Sequence, residues 1–460
     1  MIWNGILFFL LVSRFFPLAM AEDPKDLAEP EVEVNVEYRV ASRIHKVRQS
    51  PSVKASLRGI VYSGDVFEVG PIVGYKDCEA GWGTVSDGYI CLISTKLISS
   101  SPVPLPLNLL VLPPKPTEDA EQMITPIMNE GEAFMPTLHG KRDAEHKGRL
   151  WKSIESYENG DQARWRLSVD RDYRFVDAHE TEKGWVLERP NGSIAPITEV
   201  YLYPSSRFSG RSMIEVPLLE SSRTGFVMAK EGVLLYLEPS IEADVLLDLE
   251  YRRSIDVKEV SGITATDDAS QEITGKEDWW QVPMGELMGY VPRSAIRLWS
   301  SMEKPEPISD DELWIDADVA TQMLAVMRGD SLVYLTLMSS AKKGHETPLG
   351  TYQIYDKSTA WDLGSLDGAK DAYFMERVPY VMHYYPRYAI HSVFWHDEFG
   401  IPASHGCLNL SVKDAKVVFD MVTPDLPDGW RYVKQSKKHV GTTLRVRKGS
   451  TLGKIKKIAP

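Results

Sequence analysis

The stretch LWIDADVATQMLAVMRGDSLVYLTLMSS, which starts at Leu313, alternates apolar and polar side chains around a turn-like Arg328-Gly329-Asp330. Alternation with a period of two places alternate side chains on opposite faces of an extended strand, a pattern a helix cannot use. Much of the chain shares the habit. From Val36 to about Ile98, and again from Val216 to Trp299, short β-rich runs are broken by Gly, Ser and Pro. Between them, residues 120–209 carry Trp, Tyr and Val at strand-like spacing, with Asn159-Gly160 and Asn191-Gly192 as turn signals. One helix start stands out. Ser411, followed three positions on by Asp414, caps a short amphipathic helix over Val412 to Val422. The expected fold class is mainly β, with short helices in the last segment.

A chain of 460 residues is long enough for three or four domains. The clearest boundary is the Pro-rich linker 99–119, SSSPVPLPLNLLVLPPKPTED, whose prolines deny ladder hydrogen bonds and favour extended chain. The Glu- and Pro-rich stretch 22–35 and the charged stretch 302–312 read as further linkers. The start, MIWNGILFFLLVSRFFPLAMAED, is apolar and ends in Ala19-Met20-Ala21, which reads as a secretory signal peptide over residues 1–21. Its longest uncharged run, Ile2 to Ser13, is short for a bilayer span, which favours cleavage over a retained anchor. The protein is therefore expected outside the cytoplasm, in the periplasm or cell wall, with no stable membrane anchor after cleavage.

The formal net charge of −13 argues against nucleic acid as a partner, because phosphate backbones repel an acidic surface. From Arg431 onward the balance reverses: ten Lys and Arg and no Asp or Glu, a local basic arm ending in a tail over 448–460. Its bland reading is a solvated end; its functional reading is contact with an anionic wall polymer or membrane. Of three cysteines, Cys78 and Cys91 lie close enough to staple one compact segment. Cys407 is left over, and an unpaired thiol in an exported chain is either buried or employed.

The surroundings of Cys407 are IHSVFWHDEFGIPASHGCLNL. A thiol attacks as thiolate and needs a base or positive charge nearby. His405 stands two residues before Cys407, on the same side if the segment is extended, and Gly406 between them lets backbone or substrate approach closely. His391 lies on a separate expected strand and can meet Cys407 only through the fold. Two other readings stay open on residue types alone. His396, His405 and Cys407 with His391 or His383 could hold zinc, although there is no HExxH and no paired CxxC. Cys407 could also be a buried structural thiol in a turn.

The segment AIHSVFWHDEFGIPASHGCLNLSVKDA resembles the signature of the L,D-transpeptidase (YkuD-type) catalytic domain, a histidine followed after a loop by Ser-His-Gly-Cys, an apolar residue and Asn. TPLG at Thr347, the VPYVMHYYPRYAIH lead and the closing LPDGW…GTTLRV resemble the same family in order. The resemblance covers residues 313–447 and implies a β-sandwich-like catalytic domain with no metal and no cofactor. It implies His391 as general base oriented by the backbone of Ser392, and Cys407 as nucleophile. It also implies N–H groups near Gly406 and Cys407 for the oxyanion, with Ser404 in the turn and His405 supporting the loop and thiolate. Tyr384 and His396 would line the cleft, Asn409 would brace the turn, and His383 would be structural. The implied partners are peptidoglycan stem peptides, as donor and acceptor. A hydrolase sharing the acyl-enzyme, or a wall-binding scaffold with an inert catalytic domain, are the alternatives. Residues 36–98 (VRQSPS, SGDVFEV, GWGTV…GYI) and 216–299 (YLEPS, WWQV, GYVPRSAI) resemble bacterial SH3 domains, small β-barrels that would bind wall polymer or pack on the catalytic domain. No chemistry is assigned to 120–209.

Overall fold

The computed structural model describes residues 37–98, 137–204, 206–260, 279–285, 287–365 and 373–452. The signal peptide, the stretch 22–35, the linker 99–119 and the end of the basic tail lie outside them. Among the described residues, no helix is long and apolar enough to cross a membrane.

The last segment, up to Lys448, supplies ten strands and a helix. They are β1 Leu313–Asp318, β2 Met323–Arg328, β3 Ser331–Leu337, β4 Gly350–Gln353, β5 Asp356–Gly364, β6 Phe374–Tyr385, β7 Tyr388–Ser392, β8 Leu408–Leu410, helix α1 Val412–Met421, β9 Tyr432–Lys434 and β10 Thr443–Lys448. One sheet runs β3-β2-β1-β10-β4, and the other is built on β6-β5-β9, with β7 on β6 and β8 on β7. Ile315, Leu324, Val326 and Tyr334 of the first face Met382, Tyr384, Ile390 and Leu408 of the second, with Ala415, Val418 and Phe419 of α1 in the same core. Helix α1 begins where its sequence signals: the Ser411 side chain accepts from the Asp414 N–H.

The alternation in β1 has a cause beyond a solvated face, because both faces are buried. Ile315 and Ala317 enter the inter-sheet core, while Trp314 joins an outer core with Phe208, Phe226, Trp299, Ile308 and Phe399. Asp316 and Asp318 are buried on the outer side because the parallel strand β10 sets Arg445 and Arg447 beside them. Arg445 Nε donates to Asp316 at 2.9 Å, and Arg447 Nη1 donates to Asp318 at 2.8 Å. Buried charges persist when paired and hydrogen-bonded in this way. Two of the expected basic-arm residues are thus internal, and Arg431 forks onto Asp65, with Nε donating at 3.0 and 2.9 Å. The stretch 302–312 is likewise no free linker: Ile308 is in the outer core and the Glu303 carbonyl accepts from Arg445 at 2.6 Å.

The earlier segments extend these layers. Leu57–Val61 pairs with β9, and His45–Arg48, Gly88–Cys91 and Trp82–Val85 continue that sheet. Cys78 and Cys91 are disulfide-bonded, with a Cα–Cα distance of 5.8 Å. From the 120–209 region, Arg171–Phe175 pairs in parallel with the start of β6. Seven strands, Arg223–Val227, Val233–Tyr236, Val245–Leu249, Ser254–Glu259, Trp279–Met284, Leu287–Pro292 and Ile296–Leu298, form one sheet. No closed barrel is present among the described residues, in 36–98 or in 216–299. In the first segment, Leu57–Val61 pairs with His45–Arg48 on one side and with β9, outside the segment, on the other. Asn159-Gly160 ends the short helix Ile154–Glu158 and turns no hairpin, whereas Asn191-Gly192 does lie between paired strands.

Candidate active site

Strands β7 and β8 are parallel neighbours, with His391 opposite Asn409 and Ser392 opposite Leu410. Cys407 immediately precedes β8. Two residues along a strand and one strand across gives a Cα separation of about 8 Å between His391 and Cys407, on one face of the sheet. An imidazole and a thiol together can span that distance.

His391 is buried, and its Nδ1 lies 2.8 Å from the Ser392 carbonyl oxygen. A carbonyl accepts only, so Nδ1 carries the proton and the Nε2 lone pair is left to act as a base. Burial lowers the His391 pKa to about 4, against the raising effect of the Ser392 bond, and His383 and His396 lower it further. The ring is therefore neutral at neutral pH. Trp395 stacks near it, with centroids 6.0 Å apart. The Ser392 hydroxyl is engaged elsewhere, donating to the Pro379 carbonyl at 2.7 Å.

Cys407 is partly exposed, and its thiol lies 3.9 Å from the Arg387 carbonyl. Desolvation by its surroundings pushes the thiol pKa up to about 11, opposed by a backbone hydrogen bond from Ala389. Burial thus favours the neutral form of both the thiol and the imidazole at rest, the pairing a general base and its thiol require.

The turn before Cys407 is closed by Ser404. Its hydroxyl donates to the Cys407 carbonyl at 2.6 Å and accepts the Gly406 N–H at 3.0 Å. That bond removes Gly406 from the expected oxyanion donors and leaves the Cys407 N–H beside the nucleophile. Gly406 has φ +134°, and a Cβ there would stand 2.6 Å from the Tyr388 ring and 3.1 Å from the Glu346 carbonyl. Only glycine fits both constraints. Thr347 of TPLG secures the same turn from outside, donating to the Gly406 carbonyl at 2.9 Å and accepting the Ala341 N–H at 3.1 Å. Its motif is visible in the sequence, but its contact with the nucleophile turn is not.

His405 is exposed, its ring 4.5 Å from that of His345 and 5.3 Å from that of Tyr373. Tyr373 has a raised pKa, chiefly from burial and then from the Cys407 charge, which marks it as a neighbour of the nucleophile that sequence reasoning missed. Tyr384 is fully buried in the inter-sheet core, so it backs the site and cannot line an open cleft. Asn409 is buried, and its amide meets His396 Nε2 at 3.2 Å. His396 Nδ1 accepts the Glu398 N–H at 3.2 Å, so its Nε2 carries the proton and the amide must turn Oδ1 toward it. His383 Nδ1 lies 2.6 Å from Asp356.

Among the described residues, the group able to bring three metal ligands together is Asp177, His179 and Glu188, on the hairpin 177–188. None of the residues weighed as zinc ligands belongs to it.

Residues 312–446 match the family model YkuD, described as the L,D-transpeptidase catalytic domain. YciB of Bacillus subtilis (strain 168), named as an L,D-transpeptidase, is 28% identical over 131 residues, 27% of this chain and 67% of that protein. The catalytic domain of the Enterococcus faecium L,D-transpeptidase, solved by NMR, is 24% identical over 30% of this chain and 97% of that chain, with a TM-score of 0.24. A cysteine-to-serine mutant of the E. faecium enzyme, solved by crystallography, is 22% identical over 29% of this chain, with a TM-score of 0.24. This chain spans about half of that protein's length, 49%.

Proposed function

We propose that this protein is a peptidoglycan L,D-transpeptidase that acts through a Cys407 thioester. The observation that carries this reading is the bond from His391 Nδ1 to the Ser392 carbonyl on the strand beside the nucleophile turn. It fixes a neutral imidazole with Nε2 free to take a proton.

Burial disfavours both the Cys407 thiolate and the His391 imidazolium, so a proton transfer timed with attack avoids building either charge alone. His391 takes the thiol proton as Sγ attacks the carbonyl that joins the third residue of a stem tetrapeptide to the terminal D-Ala. The Cys407 N–H faces the developing oxyanion. His391 then protonates the leaving amine, D-Ala departs and the thioester is left. An acceptor amine attacks the thioester carbonyl, giving its proton to His391, and Cys407 is released as the thiol.

Incubating the protein with tetrapeptide muropeptides tests this reading by mass spectrometry. Cross-linked dimers that vanish with Cys407→Ala are expected. Trimmed tripeptide alone would make the protein an L,D-carboxypeptidase, and no change in either would leave a scaffold. The apolar start ending in Ala19-Met20-Ala21 supports export, checked by N-terminal sequencing of the secreted form. The SH3-like patterns of 36–98 and 216–299 support contact with wall polymer, checked by cosedimentation with purified sacculi.

A further inference from the structure

The loop that leads from the base strand to the nucleophile turn is gripped from two sides. On the catalytic side, the Gly400 N–H donates to the Met338 carbonyl at 2.9 Å and the Ala403 N–H to the Ser340 carbonyl at 3.0 Å. On the other side the partners come from residues 206–297. Arg252 Nη1 donates to the Asp397 carbonyl at 2.9 Å and to its carboxylate at 3.1 Å, while Nη2 meets the other carboxylate oxygen at 2.5 Å. Arg297 Nη1 donates to the Gly400 carbonyl at 2.6 Å. Met228 packs so closely that a Cβ on Gly400 would lie 2.6 Å from its methyl, and Phe208 stacks on Phe399 with centroids 5.7 Å apart.

Two side chains of this loop reach the chemistry. Trp395 stacks near the His391 ring, and His396 bonds Asn409, which faces His391 in register across β7 and β8. Asp397 follows them directly and is where Arg252 takes hold. A bidentate guanidinium–carboxylate pair fixes both position and angle, which a single contact does not.

We propose that Arg252 and Arg297 are positioning residues of the active site, holding through Asp397 and Gly400 the loop that seats Trp395 against His391 and His396 against Asn409. On this reading the sheet of residues 223–298 is a working part of the catalytic site. The inference rests on the cysteine chemistry proposed above. Its test therefore begins with the wild-type full chain and the rate at which a carbapenem acylates Cys407, followed by intact mass. A wild type that is not acylated refutes the proposed chemistry and, with it, this role.

With acylation established, Arg252→Ala is expected to slow it at least tenfold. It should also move the acid limb of the pH–rate profile upward, because a loosened loop lets water reach His391. The titratable groups that act on that ring are His383 and His396, with Cys407 beside it across β7 and β8. Arg252→Lys should recover part of the rate. The exchange Arg252→Asp with Asp397→Arg should outperform either single change. Should Arg252→Ala fail to fold, Asp397→Asn, exposed on the loop, carries the same expectation. Folded variants that acylate at the wild-type rate, or that slow without moving the acid limb and without rescue by the exchange, overturn the proposal.

Discussion

Raising the pH is the most direct probe of the resting site, because the Cys407 thiol and the His391 imidazole are both held neutral by burial. A thiol with a pKa of about 11 is ionised in roughly one molecule in 10⁴ at pH 7. An ordinary exposed thiol near 8.5 is about 3% ionised at the same pH. Since alkylation follows the thiolate, iodoacetamide should label Cys407 about 300-fold more slowly than a free cysteine at pH 7. The sign follows from the cause: burial disfavours the anion, so the rate climbs about tenfold per pH unit and reaches half its limit near pH 11. The disulfide removes Cys78 and Cys91 from the reaction, so intact mass of the full chain reports Cys407 alone. Circular dichroism at each pH confirms that the chain stays folded. A preformed thiolate–imidazolium pair would behave differently. Its alkylation would plateau at full rate by pH 6 to 7, and His391→Ala would abolish the plateau. A plateau below pH 8 refutes the neutral pair and the concerted proton transfer built on it.

Gly406→Ala is expected to cut acylation at least 100-fold in a folded protein, since a Cβ at φ +134° meets the Tyr388 ring and moves the nucleophile turn; wild-type acylation by intact mass would refute this. Lys357→Met should lower stability by roughly 1–3 kcal/mol in urea unfolding, because Lys357 Nζ donates to the Phe419 and Val422 carbonyls at the end of α1, at 2.6 and 2.5 Å. His139 and His391 both have pKa values near 4 from burial, so each adds stability that is complete above about pH 6.5 and lost as pH falls toward 4, worth about 3 kcal/mol apiece. A urea midpoint unchanged between pH 7 and 4.5 would contradict that. Residues 313–452 expressed alone should aggregate, because Trp314, Met323, Met327, Leu335 and Phe399 lose their outer-core partners; a soluble monomer by gel filtration would refute it.

What the sequence shows well is what neighbours decide. The hairpins of β1 to β3 follow from local alternation, and α1 starts at Ser411 because a cap is a contact three residues long. The glycine turn before Cys407 is legible for the same reason. Longer-range facts are not. Asp316 and Asp318 alternate with apolar neighbours, and their burial is explained only by Arg445 and Arg447, 129 positions later. Arg445 and Arg447 read as part of a basic arm because the carboxylates that neutralise them are far upstream. Tyr384 reads as a cleft residue because nothing local tells its face of β6 from the other. The barrel patterns of 36–98 have the right alternation, but alternation does not say whether an edge pairs within its own segment or with β9.

That last distinction links the outer segments to the chemistry. An unpaired sheet edge invites aggregation, and proteins cover it. Here β9 is covered by Leu57–Val61 and locked by the Asp65–Arg431 fork, while the start of β6 is covered by Arg171–Phe175. Glu376, near that start, takes two bonds from Arg189 at 2.8 and 3.1 Å, and its carbonyl meets His139 Nε2 at 2.9 Å. The far half of the same strand carries β7, through Met382 opposite Ile390 and His383 opposite Ala389. His391 follows Ile390. One twelve-residue strand is therefore anchored at one end by residues 139–189 and holds the base at the other. The outer segments thereby fix where the His391 imidazole stands, and the contacts that cover the edge are the contacts that position it.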